Sequence, residues 1–120
     1  MSHSTTLLRQ LTHFATVDPT ISLPMMMTLT VMAAEIDRTG ERWARQEYVR
    51  DNMPVSSASV SRAVTYWSKH HDGKGFITTT QDPQDRRLSL LSFTPSGNMF
   101  VQGLFSRQEK NDEEDESKDA

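Results

Sequence analysis

Pro54 constrains the fold of this chain more than any other residue, because it separates two stretches with helical periodicity. Residues 45–53 and 56–70 both carry apolar side chains at three- and four-residue steps. Proline is not tolerated in the interior of a helix, so a tight turn must fall at 53–56. The sequence therefore predicts a short helix, a turn and a second helix over about 45–71, which is helix-turn-helix spacing.

The second of these helices has two contrasting faces. Its apolar stripe follows the i, i+3, i+4, i+7 spacing of a buried face and consists of Val60, Ala63, Val64 and Trp67. The opposite side carries short hydroxyls and two cations, namely Ser57, Ser61, Arg62, Thr65 and Lys69. No Asp or Glu occurs over 56–71, whereas a solvated helix usually mixes both signs of charge. Such a face suits close approach to phosphates and base edges.

Two β-rich runs, FITTTQD and LSLLSFT, follow this helix and are joined by a polar segment that ends in Arg86 and Arg87. Runs of this kind around a loop that contains Asp and Pro predict a β-hairpin over about 76–94. An arginine at its tip suits a narrow minor groove, where the negative potential is enhanced. We expect Asp85 to hold Arg87 in place, since alternate residues of an extended tip point the same way. Alternatively, the arginines only protect a strand edge from pairing.

Further helical patterns flank this region on both sides. Apolar periodicity predicts one helix over 4–16 and another over 23–37. Residues 41–44 are compatible with a brief strand. Thr94 followed by a proline predicts the start of a closing helix, because proline suits the first helical turn. The predicted fold class is mainly α with a small β-hairpin (α+β), a winged helix-turn-helix whose wing is the hairpin.

Charge is unevenly distributed along the chain. The formal net charge is −3, yet residues 109–120 hold seven acids and two lysines, while residues 1–108 hold nine acids and eleven bases. We therefore expect one domain over 1–108, with terminal helices at 4–16 and 95–108, and a disordered acidic tail over 109–120. A weakly basic body with an acidic tail is one indication of a nucleic-acid partner, although such runs are equally often solvated surface.

The sequence gives little support to several other classes of function. It contains no cysteine, which excludes a disulfide framework and a thiolate metal site. It has no run of about 18 apolar residues and no signal-peptide pattern, so we expect a cytoplasmic protein without a membrane span. The adjacent His70 and His71 lack further ligands at useful spacing, so we expect no metal site. No phosphate loop or catalytic constellation stands out, and we expect neither an enzyme nor a cofactor.

The block over 53–97 resembles the MarR family of bacterial transcription regulators. The matching stretches are SSASVSRAV in the second helix, then GFI, DPQDRR and LSFTPSG. LPMMMTLTVMAA is similar, though less specifically, to the helix that precedes the family's DNA-reading unit. Because the terminal helices are short, the resemblance suggests a shortened relative of the kind that phages or mobile elements carry.

This resemblance implies sequence-specific binding to double-stranded DNA by a transcription regulator, and we expect a repressor. The residues it places at the duplex are Ser57, Ser59, Ser61, Arg62, Thr65, Lys69, Asp85, Arg86 and Arg87. In that scheme the serines and Arg62 face the major groove, Thr65 and Lys69 contact the backbone, and Arg86 lies near a phosphate. Arg87 enters the minor groove, oriented by Asp85. The resemblance also implies a homodimer, which we expect through the terminal helices, and leaves a small-molecule effector open.

A function of a different class remains as an alternative. Winged helices also dock on proteins, and an acidic tail can mimic DNA, so the domain is alternatively an interaction module or adaptor that does not bind DNA directly. The two readings differ in their dependence on salt. A DNA binder releases counterions and loses affinity steeply as salt rises, whereas an adaptor would not bind a duplex even at low salt.

Overall fold

The computed structural model of this protein describes residues 2–68 and 74–105, which divide between two compact units. Of these residues, one unit contains 2–21 and 99–105, and the other, the 22–98 unit, contains 22–68 and 74–98. The elements are α1 (His3–Val17), α2 (Leu23–Thr39), β1 (Ala44–Arg45), α3 (Gln46–Asp51), α4 (Ser57–Trp67), β2 (Ile77–Gln81), β3 (Ser89–Phe93) and a further helix, α5, over 95–105. The predictions for Lys69, for the two adjacent histidines and for the acidic tail lie outside the described residues.

The helix-turn-helix predicted around Pro54 is present as α3, a turn and α4. Ser56 caps α4, because its Oγ accepts a hydrogen bond from the Ser59 amide at 3.2 Å. The helix ends at Trp67, whereas the sequence predicted that it would continue to about 70. The backbone becomes extended at Ser68, which forms a parallel bridge with Ile77. Because Ser68 pairs with Ile77 instead of continuing the helix, α4 is shorter than the local pattern predicted.

The wing belongs to a three-stranded antiparallel sheet with strand order β1-β3-β2. Ala44 pairs with Leu91, so the brief strand considered at 41–44 is real but lies at Ala44–Arg45. Ile77 is buried at the start of β2, and the remaining four residues of that strand are exposed. The hairpin therefore begins in the core, and β2 emerges into solvent toward the tip.

Trp67 lies at the centre of the core of the 22–98 unit. Its side chain is fully buried and stacks on Phe76 with 5.5 Å between ring centroids. Its indole N–H donates to the Met25 carbonyl oxygen at 2.8 Å, which connects α4 to α2. Burial of a tryptophan removes roughly 150–250 Å² from water, which corresponds to about 4–6 kcal/mol of transfer free energy. This contact fixes which face of α4 points inward.

The unit that contains α1 has a small aromatic core. Phe14 and Phe100 are buried, with ring centroids 5.6 Å apart. His13 stacks on Phe100 at 4.5 Å and donates from Nε2 to the Phe100 carbonyl oxygen at 3.0 Å. Several apolar side chains of this unit stay exposed, namely Leu7, Leu8, Leu11 and Met99. The aromatic contacts thus cover only part of the apolar surface that the sequence places on these helices.

Gly97 allows the first turn of α5 to approach the backbone of Phe76. A Cβ atom at this position would lie 2.1 Å from the Phe76 carbonyl oxygen, far inside van der Waals contact. Thr94 reinforces the approach, since its amide donates to that same oxygen at 3.0 Å and its Oγ1 accepts from the Gly97 amide at 3.1 Å. The glycine of LSFTPSG therefore has a packing role rather than a conformational one.

We predict that Gly97→Ala destabilises the protein by on the order of 1–3 kcal/mol, because the added methyl group must displace backbone. This sign is opposite to the usual effect, since alanine in a helix interior is normally favoured over glycine by about 1 kcal/mol. Urea unfolding followed by circular dichroism measures the difference. Ser96→Ala, at the neighbouring exposed position, is the matched control and should change stability by less than about 0.5 kcal/mol. A Gly97→Ala protein as stable as the wild type would contradict the close approach.

Candidate nucleic-acid interface

The outward face of α4 carries the candidate recognition residues. One side of the helix is buried and therefore fixes the rotation of the helix about its axis; its residues are Val60, Ala63, Val64 and Trp67. The side chains left exposed on the helix are Ser57, Ala58, Ser61, Arg62 and Thr65. Ser59 is half-buried beside the cap, where its Oγ accepts from the Ser56 hydroxyl at 3.1 Å. The structure thus places four of the predicted helix residues on one accessible, acid-free face, namely Ser57, Ser61, Arg62 and Thr65, whereas Ser59 is half-buried and Lys69 lies outside the described residues.

Among the described residues, Arg62 is the cation of this face. Its side chain is exposed and forms no ion pair within 2–68 or 74–105. It also lines a small cavity of about 250 Å³ together with residues at the start of α2, among them Ser22 and Met25. Pro24 also lines this cavity and has no amide N–H, and the Met25 amide is already bonded to Ser22 Oγ at 3.4 Å, so Arg62 is the charged group of its lining. The sequence did not predict the juxtaposition, because these residues lie far apart along the chain.

The tip of the wing is a compact turn. The Asp82 carbonyl oxygen accepts from the Asp85 amide at 3.2 Å, and the Asp85 carbonyl oxygen accepts from the Leu88 amide at 3.0 Å. The Asp82 side chain is buried, and its Oδ1 accepts from the Gln84 amide at 2.9 Å. The expectation of an extended tip is therefore wrong, because these bonds fold the polar segment back on itself. Such local side-chain bonds to the backbone are typical of aspartate in turns.

Asp85 and Arg87 form a bidentate ion pair at this tip. Arg87 donates from Nε to Oδ1 at 3.0 Å and from Nη2 to Oδ2 at 3.1 Å, and its amide donates to Oδ1 at 3.1 Å. The hydrogen bonds from Arg87 lower the pKa of the Asp85 carboxyl, and the bond to Asp85 raises the pKa of Arg87. The Arg87 side chain nevertheless stays 89% exposed. The pair therefore presents an oriented guanidinium to solvent.

Arg86 differs from its neighbour, although both are exposed. Within the described residues it makes no ion pair, so its guanidinium is not held in one direction. A free cation suits a general attraction to phosphate, whereas an oriented one suits insertion into a groove. The two adjacent arginines thus differ in geometry, and Asp85 bonds to Arg87 as the sequence predicted. Their roles at a duplex stay predictions.

We also searched residues 2–68 and 74–105 for a metal site, a membrane span and further cavities. No group of three or more His, Asp or Glu side chains is arranged there to hold a metal ion. None of the described helices combines the length and apolar character that crossing a membrane requires. A cavity of about 460 Å³ lies in the unit that contains α1, and its walls include Arg9, His13 and Leu104.

Known structures share this fold. No family model and no curated protein sequence matches the chain. The transcriptional regulator Tm0710 from Thermotoga maritima matches with a TM-score of 0.66 and 21% identity, over 95% of this chain and 72% of that one. The crystal structure of MarR matches with a TM-score of 0.56 and 21% identity, over 90% and 68% of the two chains. The fold is therefore the winged helix seen in MarR-type structures, as predicted.

A third matching structure belongs to a longer protein, of which this chain covers only part. The PcaV transcriptional regulator from Streptomyces coelicolor, in complex with its natural ligand, matches with a TM-score of 0.54 and 21% identity over 75% of this chain. The present chain spans 57% of the length of that regulator. The structures that the chain resembles are transcription regulators rather than enzymes. At about 21% sequence identity, this similarity shows a shared fold and nothing more specific.

We predict that the pKa of the Asp85 carboxyl rises toward its ordinary value in Arg87→Ala, because the bonds that favour the carboxylate are lost. A folded-state pKa below the ordinary value means that the pair stabilises the wing above the ordinary carboxyl pKa. That contribution disappears as pH falls through the lowered pKa. Carbon-detected NMR titration of the Asp85 carboxyl measures the shift. Arg86→Ala is the adjacent control and should leave this pKa where it is in the wild type. Equal shifts in both variants would contradict the assigned pairing.

Proposed function

We propose that this protein is a sequence-specific double-stranded DNA-binding transcription regulator of the MarR type that acts as a repressor. The observation that carries the proposal is the presence, in one unit, of an acid-free recognition face with Arg62 and of a wing tip with an oriented Arg87. The fold shared with MarR-type regulators supports it. We further propose that the protein acts in the cytoplasm, where its DNA lies.

In this proposal α4 lies in the major groove, whose width admits an α-helix. Ser57, Ser59 and Ser61 have short side chains, so they permit close approach of the helix and can bond to base edges or phosphates. Arg62 is long enough to contact a guanine through its O6 and N7 acceptors, which is the commonest specific contact of arginine. The absence of carboxylates on this face avoids repulsion by the phosphates.

The wing extends the interface into an adjacent minor groove. Arg87, oriented by Asp85, enters the groove, where a narrow width strengthens the negative potential. Arg86 contributes a less directed attraction to phosphate. Thr65 and Lys69 contact the backbone and set the register of the helix. We therefore expect α4 to read base identity and the wing to read groove shape, and variants of each element can test the two roles separately.

We predict distinct effects for Arg62→Ala and Arg87→Ala in a fluorescence anisotropy assay with a duplex obtained by in vitro selection. Arg62→Ala should lose about 1–3 kcal/mol on the selected site and relax the preference at one base position. Arg87→Ala should weaken binding to the selected site and reduce any preference for A·T-rich flanks, because minor-groove width is what it senses.

Arg86→Ala is the matched control for the wing. It should weaken binding to selected and random duplexes alike, since phosphate contacts carry little sequence information. If Arg86→Ala proves far more damaging than Arg87→Ala, the two roles are reversed. If the wild-type protein shows no salt-dependent binding to any duplex, the alternative of a protein-interaction module replaces the proposal.

We also propose that the protein forms a two-fold homodimer through α1 and the C-terminal part of α5. The unit that contains α1 buries three apolar side chains, Phe14, Phe100 and Leu104. Four others expose 42–74% of their surface, namely Leu7, Leu8, Leu11 and Met99. A second copy would cover these exposed side chains with the same surface, as a two-fold interface requires. A symmetric operator would then mirror the symmetry of the dimer.

We predict that sedimentation at micromolar concentration shows a dimer and that Leu8→Glu shifts it to a monomer, because a carboxylate would be buried in the interface. Circular dichroism should show the variant still folded, since Leu8 is 65% exposed within one chain. Thr16→Glu, at an exposed position of α1 that lies away from the stripe of Leu7, Leu8 and Leu11, is the matched control and should remain dimeric. A wild-type monomer under these conditions would refute the dimer.

A further inference from the structure

A second cavity lies away from the residues proposed to contact DNA. It has a volume of about 470 Å³ and is formed by the C-terminal end of α2, the segment before β1, and α3. Small-molecule sites typically have volumes of about 300–1,000 Å³. None of the residues proposed for the DNA interface lines this cavity. Its chemistry can therefore be considered independently of that interface.

One wall of the cavity already holds a cation. The Glu35 side chain is only 7% exposed, and its Oε1 accepts a hydrogen bond from Nη2 of Arg38. The same guanidinium lies over the ring of Tyr48, 5.7 Å from the ring centroid. A buried carboxylate and an aromatic face thus bind one planar cation together. Arg38 itself is 64% exposed, so it can turn into solvent when another cation takes its place on Glu35, whose buried carboxylate must stay paired.

The remaining lining favours positive charge as well. The cavity is lined by the carboxylates Glu35, Glu41, Glu47 and Asp51, against the guanidiniums Arg38 and Arg45. Asp51 is also paired with Arg50, whose Nε lies 3.5 Å from Oδ1, so one carboxylate remains in excess. Trp43 provides a second aromatic surface and is 40% exposed, which is unusual for so large an apolar side chain. Aromatic faces attract cations most strongly where water is partly excluded. An excess of carboxylates beside two aromatic rings selects against anions and in favour of an organic cation.

We propose that this cavity binds a small organic cation with a planar amidinium or guanidinium group. The ligand group takes the place of the Arg38 guanidinium on Glu35 and packs against Tyr48 or Trp43. A planar fork of N–H donors matches a carboxylate in a bidentate manner, which a spherical ammonium does not. The Arg38 side chain acts as a tethered competitor, which closes the site when no ligand is present.

The first experiment titrates the full chain with benzamidine and, separately, with benzamide, a neutral molecule of nearly the same shape. The indole N–H signals in an NMR spectrum report the result. Benzamidine should shift the Trp43 signal in a saturable manner, and benzamide should not. The Trp67 signal is an internal control, because that indole is buried and bonded to the Met25 carbonyl. Equal responses to both molecules would overturn the proposal, since the site would then not recognise charge.

Three variants separate a binding site from a merely structural ion pair. Arg38→Ala should tighten benzamidine binding by about tenfold, because it removes a competitor held at high effective concentration. Glu35→Gln should abolish the response, since the amide offers no charge to the cation. Arg42→Ala removes a nearby exposed cation that does not line the cavity and should leave binding unchanged. If Glu35→Gln does not fold, Arg38→Ala still decides: unchanged or weaker binding there would overturn the proposal.

Discussion

The burial of Trp67 is the interaction on which the rest of the 22–98 unit depends. Its indole bonds to the Met25 carbonyl at 2.8 Å and stacks on Phe76, so one side chain connects α4 with α2 and with the start of the wing. The helix ends there, and Ser68 passes directly into pairing with Ile77. The orientation of the acid-free face of α4 is therefore a consequence of core packing rather than of any contact on that face.

The elements that the sequence predicted correctly are those with local signals. The caps at Ser22, Ser56 and Thr94 depend on side-chain oxygens that bond to amides three residues ahead, so they can be recognised without tertiary information. The end of α4 could not be recognised in this way, because the Ser68 bridge to Ile77 joins separate parts of the chain. The extended wing tip was wrong for a different reason, since the Gln84 amide bonds to the Asp82 carboxylate two residues before it, a local turn signal that the sequence prediction overlooked.

The candidate site could be predicted in its residue types but not in its geometry. DPQDRR places two arginines at a tip, and the sequence predicted that Asp85 would hold Arg87. The structure adds the bidentate geometry of that pair and leaves Arg86 unpaired among the described residues. The cavity between Arg62 and the start of α2 joins residues that no periodicity connects. The same holds for Glu35, Arg38 and Tyr48, where helix spacing predicts the ion pair but not the aromatic face beside it.

Methylation interference on a selected duplex tests the central claim most directly, because dimethyl sulfate modifies guanine N7 in the major groove and adenine N3 in the minor groove. The account predicts interference at guanines in one major-groove segment and at adenines in the adjacent minor groove, as expected for a helix and a wing that engage neighbouring grooves. The adenine signals should disappear in Arg87→Ala while the guanine signals remain. Interference confined to one groove, or adenine signals that persist without Arg87, would contradict the account.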